Sequence, residues 1–191
     1  MEPRRPMKIL GISGSLQARS SNSALIRAAA EVAPDGVDFA TFAGLADLPH
    51  FNPDLDGEGP LAPGPVADFR ARLGEAQGVL IATPEYAHAA PGVLKNALDW
   101  VVGSGELSGK RVALMSASPN HTGGLRAQLN LIPTILVMDA VIVDTLIVAA
   151  ARKKIDDGGR VVDPRTRARI AGLLRAIAGL DESGQVGREV D

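Results

Sequence analysis

Residues 7–30 read MKILGISGSLQARSSNSALIRAAA, an apolar run followed by a glycine- and serine-rich stretch and then by an alanine-rich helical pattern. This order predicts a buried strand, a loop and a helix. The loop and the first helical turn would present backbone N–H groups without intrahelical partners, and the helix dipole favours negative charge there. Small residues let a phosphate approach the backbone, and hydroxyls add donors. The stretch therefore predicts a phosphate site near residues 15–22, although such a stretch can also be only a turn.

Three familiar loop motifs do not fit this stretch. The dinucleotide fingerprint GxGxxG needs a third glycine beyond Gly11 and Gly14. The nucleophile elbow GxSxG nearly fits from Gly11, but it needs a glycine where Ser15 stands. A Walker-type motif further along the chain would need a glycine where Ser104 stands. The loop is thus a phosphate cradle of another kind, or an ordinary turn.

Composition narrows the class of protein. A chain of 191 residues can form one domain with a sizeable core, and 46% hydrophobic with 22% charged residues is ordinary for a globular protein. A formal net charge of −2 without a basic stripe argues against a nucleic-acid or membrane partner. The absence of cysteine excludes disulfides, thiolate metal sites and a thiol nucleophile. We find no membrane-spanning run and no signal-peptide pattern, so a cytoplasmic location is expected.

Strand and helix patterns alternate along the rest of the chain. Residues 43–65 form a long proline-rich loop, and Pro133 is expected to kink or end the fourth helix. The predicted strands lie at 9–12, 37–42, 78–83 and 111–116 and within 137–148, and the predicted helices begin at 24, 66, 92, 125 and 164.

Five repeats of strand and helix predict an α/β fold, a parallel sheet with helices on both faces. Five strands suggest a flavodoxin-like three-layer sandwich with the strand order 2-1-3-4-5, whose ligands lie where the order reverses between strands 1 and 3. The loops after strands 1, 3 and 4 are therefore expected to converge on one site. We expect a single domain over residues 7–180, a disordered N-terminal tail (1–6) and a frayed C-terminal tail (181–191).

The expected site edge carries several side chains of uncertain role. Glu85 could be a general base, and Tyr86 could be ordinary packing or could cover a flat ring. The three histidines, His50, His88 and His121, follow strands 2, 3 and 4 and so belong at the same edge. A metal triad is conceivable, but no pair has helical ligand spacing. Solvated loop histidines are the favoured interpretation.

Two sequence blocks resemble one known family. The run GSLQARSSN at 14–22 resembles the G-S-L-R-x-x-S-x-N phosphate loop of the NADPH-dependent FMN reductase family. The runs TPEY at 83–86 and PGVLKNALDW at 91–100 are similar to the T-P-E-Y-N…P-G-x-L-K-N-A-L-D-W block of that family. The resemblance covers about residues 7–148. The family is flavodoxin-like and includes quinone, azo and chromate reductases.

The resemblance implies an FMN site, with NADPH or NADH as electron donor. FMN carries the redox chemistry, so no catalytic side chain is strictly required. The residues implied to hold the phosphate are Ser15, Gln17, Ser20, Ser21 and Asn22. Those implied to line the ring edge, largely through backbone, are Pro84, Glu85, Tyr86 and Ala87, with Ser118 nearby.

The sequence departs from the family pattern at two places in the implied site. Gln17 stands where the family usually has arginine, which removes one charged phosphate contact, and Arg19 could substitute for it. Ala87 and His88 replace the usual asparagine and its neighbour at the ring edge. These changes concern cofactor affinity and substrate choice rather than fold.

The resemblance also implies a homodimer, or a tetramer. The helix from Gly92 is the favoured interface, and Trp100, late in that helix, is expected in the core or in the interface rather than in the site.

The leading hypothesis is an FMN-dependent NAD(P)H oxidoreductase. It would pass hydride from a nicotinamide to bound flavin and on to a quinone-like, azo, metal-oxyanion or free flavin acceptor. The alternative is a flavodoxin-like electron carrier without its own NAD(P)H turnover, which a net charge of −2 disfavours modestly. A third hypothesis is a module for another phosphate-bearing ligand that has lost FMN through Gln17.

Overall fold

A computed structural model describes residues 5–56 and 62–181, and five strands alternate with five α-helices over them. Residues 1–4 and 182–191 of the predicted tails lie outside the described residues. The strands are β1 (Met7–Ser13), β2 (Val37–Phe42), β3 (Gly78–Thr83), β4 (Arg111–Ala117) and β5 (Val141–Val148). The helices are α1 (Ser21–Glu31), α2 (Gly64–Glu75), α3 (Gly92–Val102), α4 (Leu125–Leu136) and α5 (Pro164–Ala178).

The five strands form one sheet in the order β2-β1-β3-β4-β5, with every neighbouring pair parallel. The predicted flavodoxin-like order is confirmed. Parallel strands all end at the same edge, and the order reverses between β1 and β3. The register places Ile12, near the end of β1, beside Phe42 of β2 and Ile81 of β3. The loops that follow these strands therefore start side by side.

Helices cover both faces of the sheet. Helices α2, α3 and α4 pack on one face around Phe69 and Trp100, and α1 and α5 pack on the other around Leu25 and Leu173. Every residue of β3 is buried, because the central strand has helices above and below it. Its unbroken apolar run is the signal that revealed it in the sequence.

Pro133 does not end α4, so that half of the prediction that it would kink or end the helix is wrong. The helix continues for three residues beyond the proline. A proline removes only the hydrogen bond to the carbonyl four residues earlier, which here belongs to the exposed Leu129. The loss of this one hydrogen bond does not end the helix.

The long loop after β2 is held against α3 rather than standing free. Two short 3-10 turns, Gly44–Asp47 and Pro53–Leu55, interrupt it. The carbonyl oxygen of Pro49 accepts hydrogen bonds from the Asn96 side chain (2.9 Å) and from the Trp100 indole N–H (2.8 Å). Part of the predicted loop, residues 57–61, lies outside the described residues.

Candidate functional site

The loops after β1, β3 and β4 meet at the carboxyl edge of the sheet, as predicted. The backbone N–H of Gly14 donates to the carbonyl oxygen of Ala82 at 2.8 Å, which joins the first loop to β3. A Cβ at Gly14 would lie 2.9 Å from the side chain of Leu94, so the close approach to α3 requires glycine. The backbone N–H of Arg126 donates to Glu85 at 3.0 Å, which joins the loop after β3 to α4.

Asn22 ties the start of α1 to the end of β4. Its amide nitrogen donates to the carbonyl oxygen of Ala117 (3.1 Å), and its amide oxygen accepts from the Ala117 N–H (2.8 Å). The asparagine is almost fully buried. Its side chain therefore fixes the position of the first turn of α1 beside the loop after β4, whose first residue is Ser118.

The hydroxyl of Ser20 caps α1. It accepts hydrogen bonds from the backbone N–H groups of Asn22 (3.1 Å) and Ser23 (3.3 Å). Ser15 makes a similar local bond, because its hydroxyl accepts from the N–H of Gln17 at 3.3 Å. Both hydroxyls act as acceptors here, so their hydrogens remain to be donated to a ligand.

Unpaired backbone donors surround these hydroxyls. Within the described residues, four N–H groups of this loop have no hydrogen-bond acceptor, and they belong to Leu16, Ala18, Arg19 and Ser21. With the hydroxyls of Ser15, Ser20 and Ser21 they form a set of donors at the positive end of a helix dipole. We call residues 15–21 the phosphate cradle. Its donor set fits the phosphate of FMN.

Gln17 and Arg19 both lie on the exposed side of the cradle. The Gln17 side chain makes no hydrogen bond within the described residues, and Arg19 has no carboxylate partner there. The structure thus places Ser15, Gln17, Ser20 and Ser21 together, whereas the amide of the predicted Asn22 is bonded to Ala117. Within the described residues, Arg19 is a cation beside them without a carboxylate partner.

The loop after β3 makes a tight turn at the predicted ring edge. The N–H and carbonyl groups of Tyr86 and Ala89 exchange two hydrogen bonds of 3.0 Å. The two residues between them, Ala87 (φ 49°) and His88 (φ 64°), are both left-handed. This conformation is typical of a type I′ turn, which favours asparagine and glycine over the residues found here. Tyr86 is exposed beside the turn, free to cover a flat ring.

Glu85 is a helix cap in this structure. The first residue of α4 follows Gly124, which has no side chain to offer, and the Glu85 carboxylate accepts from the backbone N–H of Arg126 instead. Burial alone would raise the pKa of Glu85. The His88 ring, the Arg126 N–H and the Arg126 guanidinium together outweigh burial and hold that pKa below its ordinary value. An engaged, acidic carboxylate of this kind is a poor general base.

We expect the stability supplied by Glu85 to depend on pH. Because its folded-state pKa is lowered, the contribution is present above the unfolded value of about 4.3 and is lost as pH falls through the folded pKa. Glu85→Gln keeps an oxygen that can accept the Arg126 N–H but removes the negative charge beside the helix start and Arg126, so it should lower the free energy of unfolding by about 0.5–1 kcal/mol at neutral pH. Urea denaturation at a series of pH values checks this. A wild-type-to-variant difference that stays constant down to the acid limit would contradict it.

The three histidines do not form a metal site within the described part of the chain. His50, His88 and His121 are exposed on separate loops, in keeping with the favoured interpretation. Among the three, and within residues 5–56 and 62–181, His88 alone has side-chain partners, since its Nδ1 atom lies 3.3 Å from Glu85 and 3.1 Å from Arg126.

Ser118 is half-buried in the loop that follows β4. Its N–H donates to the carbonyl oxygen of Val148 at 3.2 Å, and its hydroxyl accepts from the N–H of Asn120 at 3.2 Å. The hydroxyl hydrogen of Ser118 remains available beside the start of α1.

The sequence prediction missed Arg126, which the structure places at the same edge of the sheet through its contact with Glu85.

A parallel sheet of this order with a phosphate cradle after its first strand defines a flavodoxin-like, phosphate-binding protein. Residues 7–154 match the NADPH-dependent FMN reductase family, and the chain belongs to that family. The match confirms the resemblance seen in the sequence and, with it, the predicted enzyme class, an FMN-dependent NAD(P)H oxidoreductase.

Named relatives extend over nearly the whole chain. An NAD(P)H-dependent FMN reductase of Pseudomonas aeruginosa is 35% identical over 175 residues, which are 90% of this chain and 93% of that protein. A quinone reductase of Escherichia coli is 30% identical and covers 89% and 93%. Among solved structures, the flavoenzyme NAD(P)H:(acceptor) oxidoreductase FerB from Paracoccus denitrificans aligns with a TM-score of 0.74 at 29% identity, over 90% of this chain and 94% of that one.

Proposed function

We propose that the protein holds the FMN phosphate in the phosphate cradle and passes electrons from NADPH or NADH to a quinone. The observation that carries the proposal is the set of unpaired N–H and hydroxyl donors of residues 15–21 at the start of α1. The carboxyl-edge loops that meet beside it supply the space for the ring. Relatives named as FMN reductases and quinone reductases support both the cofactor and the acceptor.

Bound FMN would supply the transfer of hydride, and the chain would supply binding and orientation. Asn22 holds the cradle in place from β4. The turn at Ala87 and His88 would present backbone N–H groups and the exposed Tyr86 to the ring edge, with Ser118 beside it. None of these side chains needs to exchange a proton with the nicotinamide.

The test is a titration of the purified protein with FMN, followed by NADPH oxidation with a quinone. Quenching of FMN fluorescence with micromolar affinity or better, together with quinone-dependent turnover, would support the proposal. FMN binding without NAD(P)H turnover would instead favour the flavodoxin-like carrier. If FMN does not bind, a different phosphate-bearing ligand must be sought.

We expect Gln17→Arg to tighten FMN binding. The guanidinium would reach a dianionic phosphate from the exposed side of the cradle, and a charged hydrogen bond contributes roughly 1.5–3 kcal/mol against 0.5–1.5 kcal/mol for a neutral one. The dissociation constant should fall by about tenfold at low salt, and the gain should shrink as salt is added. Gln17→Met is the matched control of similar length. Equal affinity in all three proteins would place the phosphate elsewhere.

We propose that the protein is a homodimer whose interface is formed by α4 rather than α3. The apolar side chains of α3 lie in the core, apart from the half-buried Val93 and the exposed Val102 at its end. Helix α4 instead exposes Leu125, Leu129 and Leu136 at spacings of four and seven residues, on one face. An unpartnered apolar stripe of this length is typical of an interface between subunits.

A cytoplasmic location stays a prediction. Within the described residues, no helix combines the length and apolar character of a membrane span.

Leu129→Glu should therefore dissociate the dimer. Leu129 is 57% exposed in the single chain, so the substitution changes little within it and places a charge in the interface. Analytical ultracentrifugation at micromolar concentration measures the result. Ala168→Glu, on the exposed side of α5, is the control and should leave the mass unchanged. A Leu129→Glu protein that stays dimeric would exclude α4 as the interface.

A further inference from the structure

The side chains of His88, Glu85 and Arg126 meet beside the turn at the predicted ring edge. Nδ1 of His88 lies 3.1 Å from Nη1 of Arg126 and 3.3 Å from Oε1 of Glu85. One nitrogen cannot accept from the guanidinium and donate to the carboxylate at the same time. Arginine has donors only, and its contact is the shorter of the two, which favours Nδ1 as the acceptor in a neutral ring. The ring proton then lies on Nε2. Nδ1 donates to Glu85 only when the ring is protonated.

The proton on Nε2 faces away from the protein. The two nitrogens of an imidazole point in nearly opposite directions, and Nδ1 is directed at Arg126 and Glu85. The side chain of His88 is 72% exposed, whereas that of Glu85 is only 12% exposed. The Arg126 contact therefore turns an N–H donor outward, at the loop that would line the ring.

We propose that His88 donates a hydrogen bond from Nε2 to an oxygen of the electron acceptor, and that Arg126 is the positioning residue that holds the required tautomer. This inference rests on the proposed function. Reduction of a quinone to a hydroquinone adds two electrons and two protons. Hydride from the donor supplies both electrons and one proton, and water supplies the second proton to the oxygen that becomes negative. His88 keeps its own proton and stabilises that oxygen while charge develops on it.

The first test reads the tautomer directly. The ¹⁵N resonances of the His88 ring, assigned by their loss in His88→Gln, distinguish a protonated Nε2 from a protonated Nδ1. We expect Nε2–H in the neutral ring of the wild-type protein. Arg126→Met removes the guanidinium but keeps the backbone N–H that Glu85 accepts, and it should shift the proton towards Nδ1. A wild-type ring with its proton on Nδ1 would overturn the inference whatever the activity.

The second test compares His88→Leu with His88→Gln. Both variants keep a side chain without β-branching at the left-handed position, so the backbone strain is matched. The glutamine amide can donate from near the Nε2 position, whereas leucine cannot. With benzoquinone as acceptor, kcat should fall about fivefold in His88→Leu and stay within about twofold of wild type in His88→Gln, the range expected for one hydrogen bond.

Ferricyanide, an acceptor without a quinone oxygen, separates this inference from the proposed function. Both substitutions keep the backbone N–H groups that the turn would offer to FMN, so FMN affinity and the rate of NADPH oxidation by ferricyanide, measured at saturating FMN, serve as controls. If these controls hold and His88→Leu reduces benzoquinone at the wild-type rate, the role of His88 is wrong and the enzyme class stands. If no protein binds FMN or oxidises NADPH, the proposed function itself fails. Arg152→Gln replaces an exposed arginine after β5 and is the control for the loss of a surface charge in Arg126→Met.

Discussion

Asn22→Ala should lower the free energy of unfolding by about 2–4 kcal/mol. The substitution leaves both the N–H and the carbonyl group of the buried Ala117 without a partner, and each such group costs roughly 1–3 kcal/mol. Because the amide also joins the phosphate cradle to β4, the first turn of α1 should loosen and FMN affinity should fall with stability. Chemical denaturation and FMN titration measure the two effects.

Ser21→Ala is the matched control for this prediction. Ser21 is the neighbouring residue, and its hydroxyl makes no hydrogen bond within the described part of the chain. We expect its loss to leave the free energy of unfolding within about 0.5 kcal/mol of wild type and to weaken FMN binding alone. If Ser21→Ala destabilises the protein as much as Asn22→Ala does, the two hydrogen bonds between Asn22 and Ala117 are not what holds the first turn of α1.

The strands and helices of this fold were predictable where the residue pattern of one segment was enough to identify the element. The run at Gly78–Thr83 could only be a strand covered on both faces, and its bounds agree with the prediction. The order of the sheet followed from five successive strand–helix units and the right-handed crossover rule. The sequence also points to a phosphate site near residues 15–22, because the donors are local to one loop, and that site stays a prediction.

The roles of Glu85 and Asn22 were not predictable from the sequence. Asn22 stands among serines that do face the cradle, yet its partner is Ala117, 95 residues away. Glu85 caps a helix that begins 40 residues later, and the local sequence holds no sign of that contact. Both roles depend on which loops the sheet order brings together. Side chains that join separate loops are therefore visible only in the folded chain.

Trp100 was expected in the core or in a subunit interface, and the structure places it in the core. It is fully buried, its indole N–H donates to the Pro49 carbonyl, and its ring packs edge-on against Phe51 with centroids 5.1 Å apart. The backbone carbonyl of Trp100 also accepts from Arg70, whose guanidinium pairs with Asp56 at 2.5 Å. One residue thus joins α3 to α2 and to the loop after β2.

Trp100→Ala should lower the free energy of unfolding by about 3–5 kcal/mol, the usual cost of removing a buried aromatic side chain. The loss includes the cavity and the Pro49 carbonyl left without its indole donor, so the loop after β2 should become more susceptible to proteolysis. Val102→Ala, on the same helix but exposed, is the control and should cost less than about 0.5 kcal/mol. Chemical denaturation measures the loss of free energy of unfolding. Sedimentation measures the oligomeric state and so separates a core role of Trp100 from an interface role. A core role requires instability with the wild-type oligomeric state kept, whereas a stable Trp100→Ala protein that has dissociated from a wild-type oligomer would put Trp100 in a subunit interface.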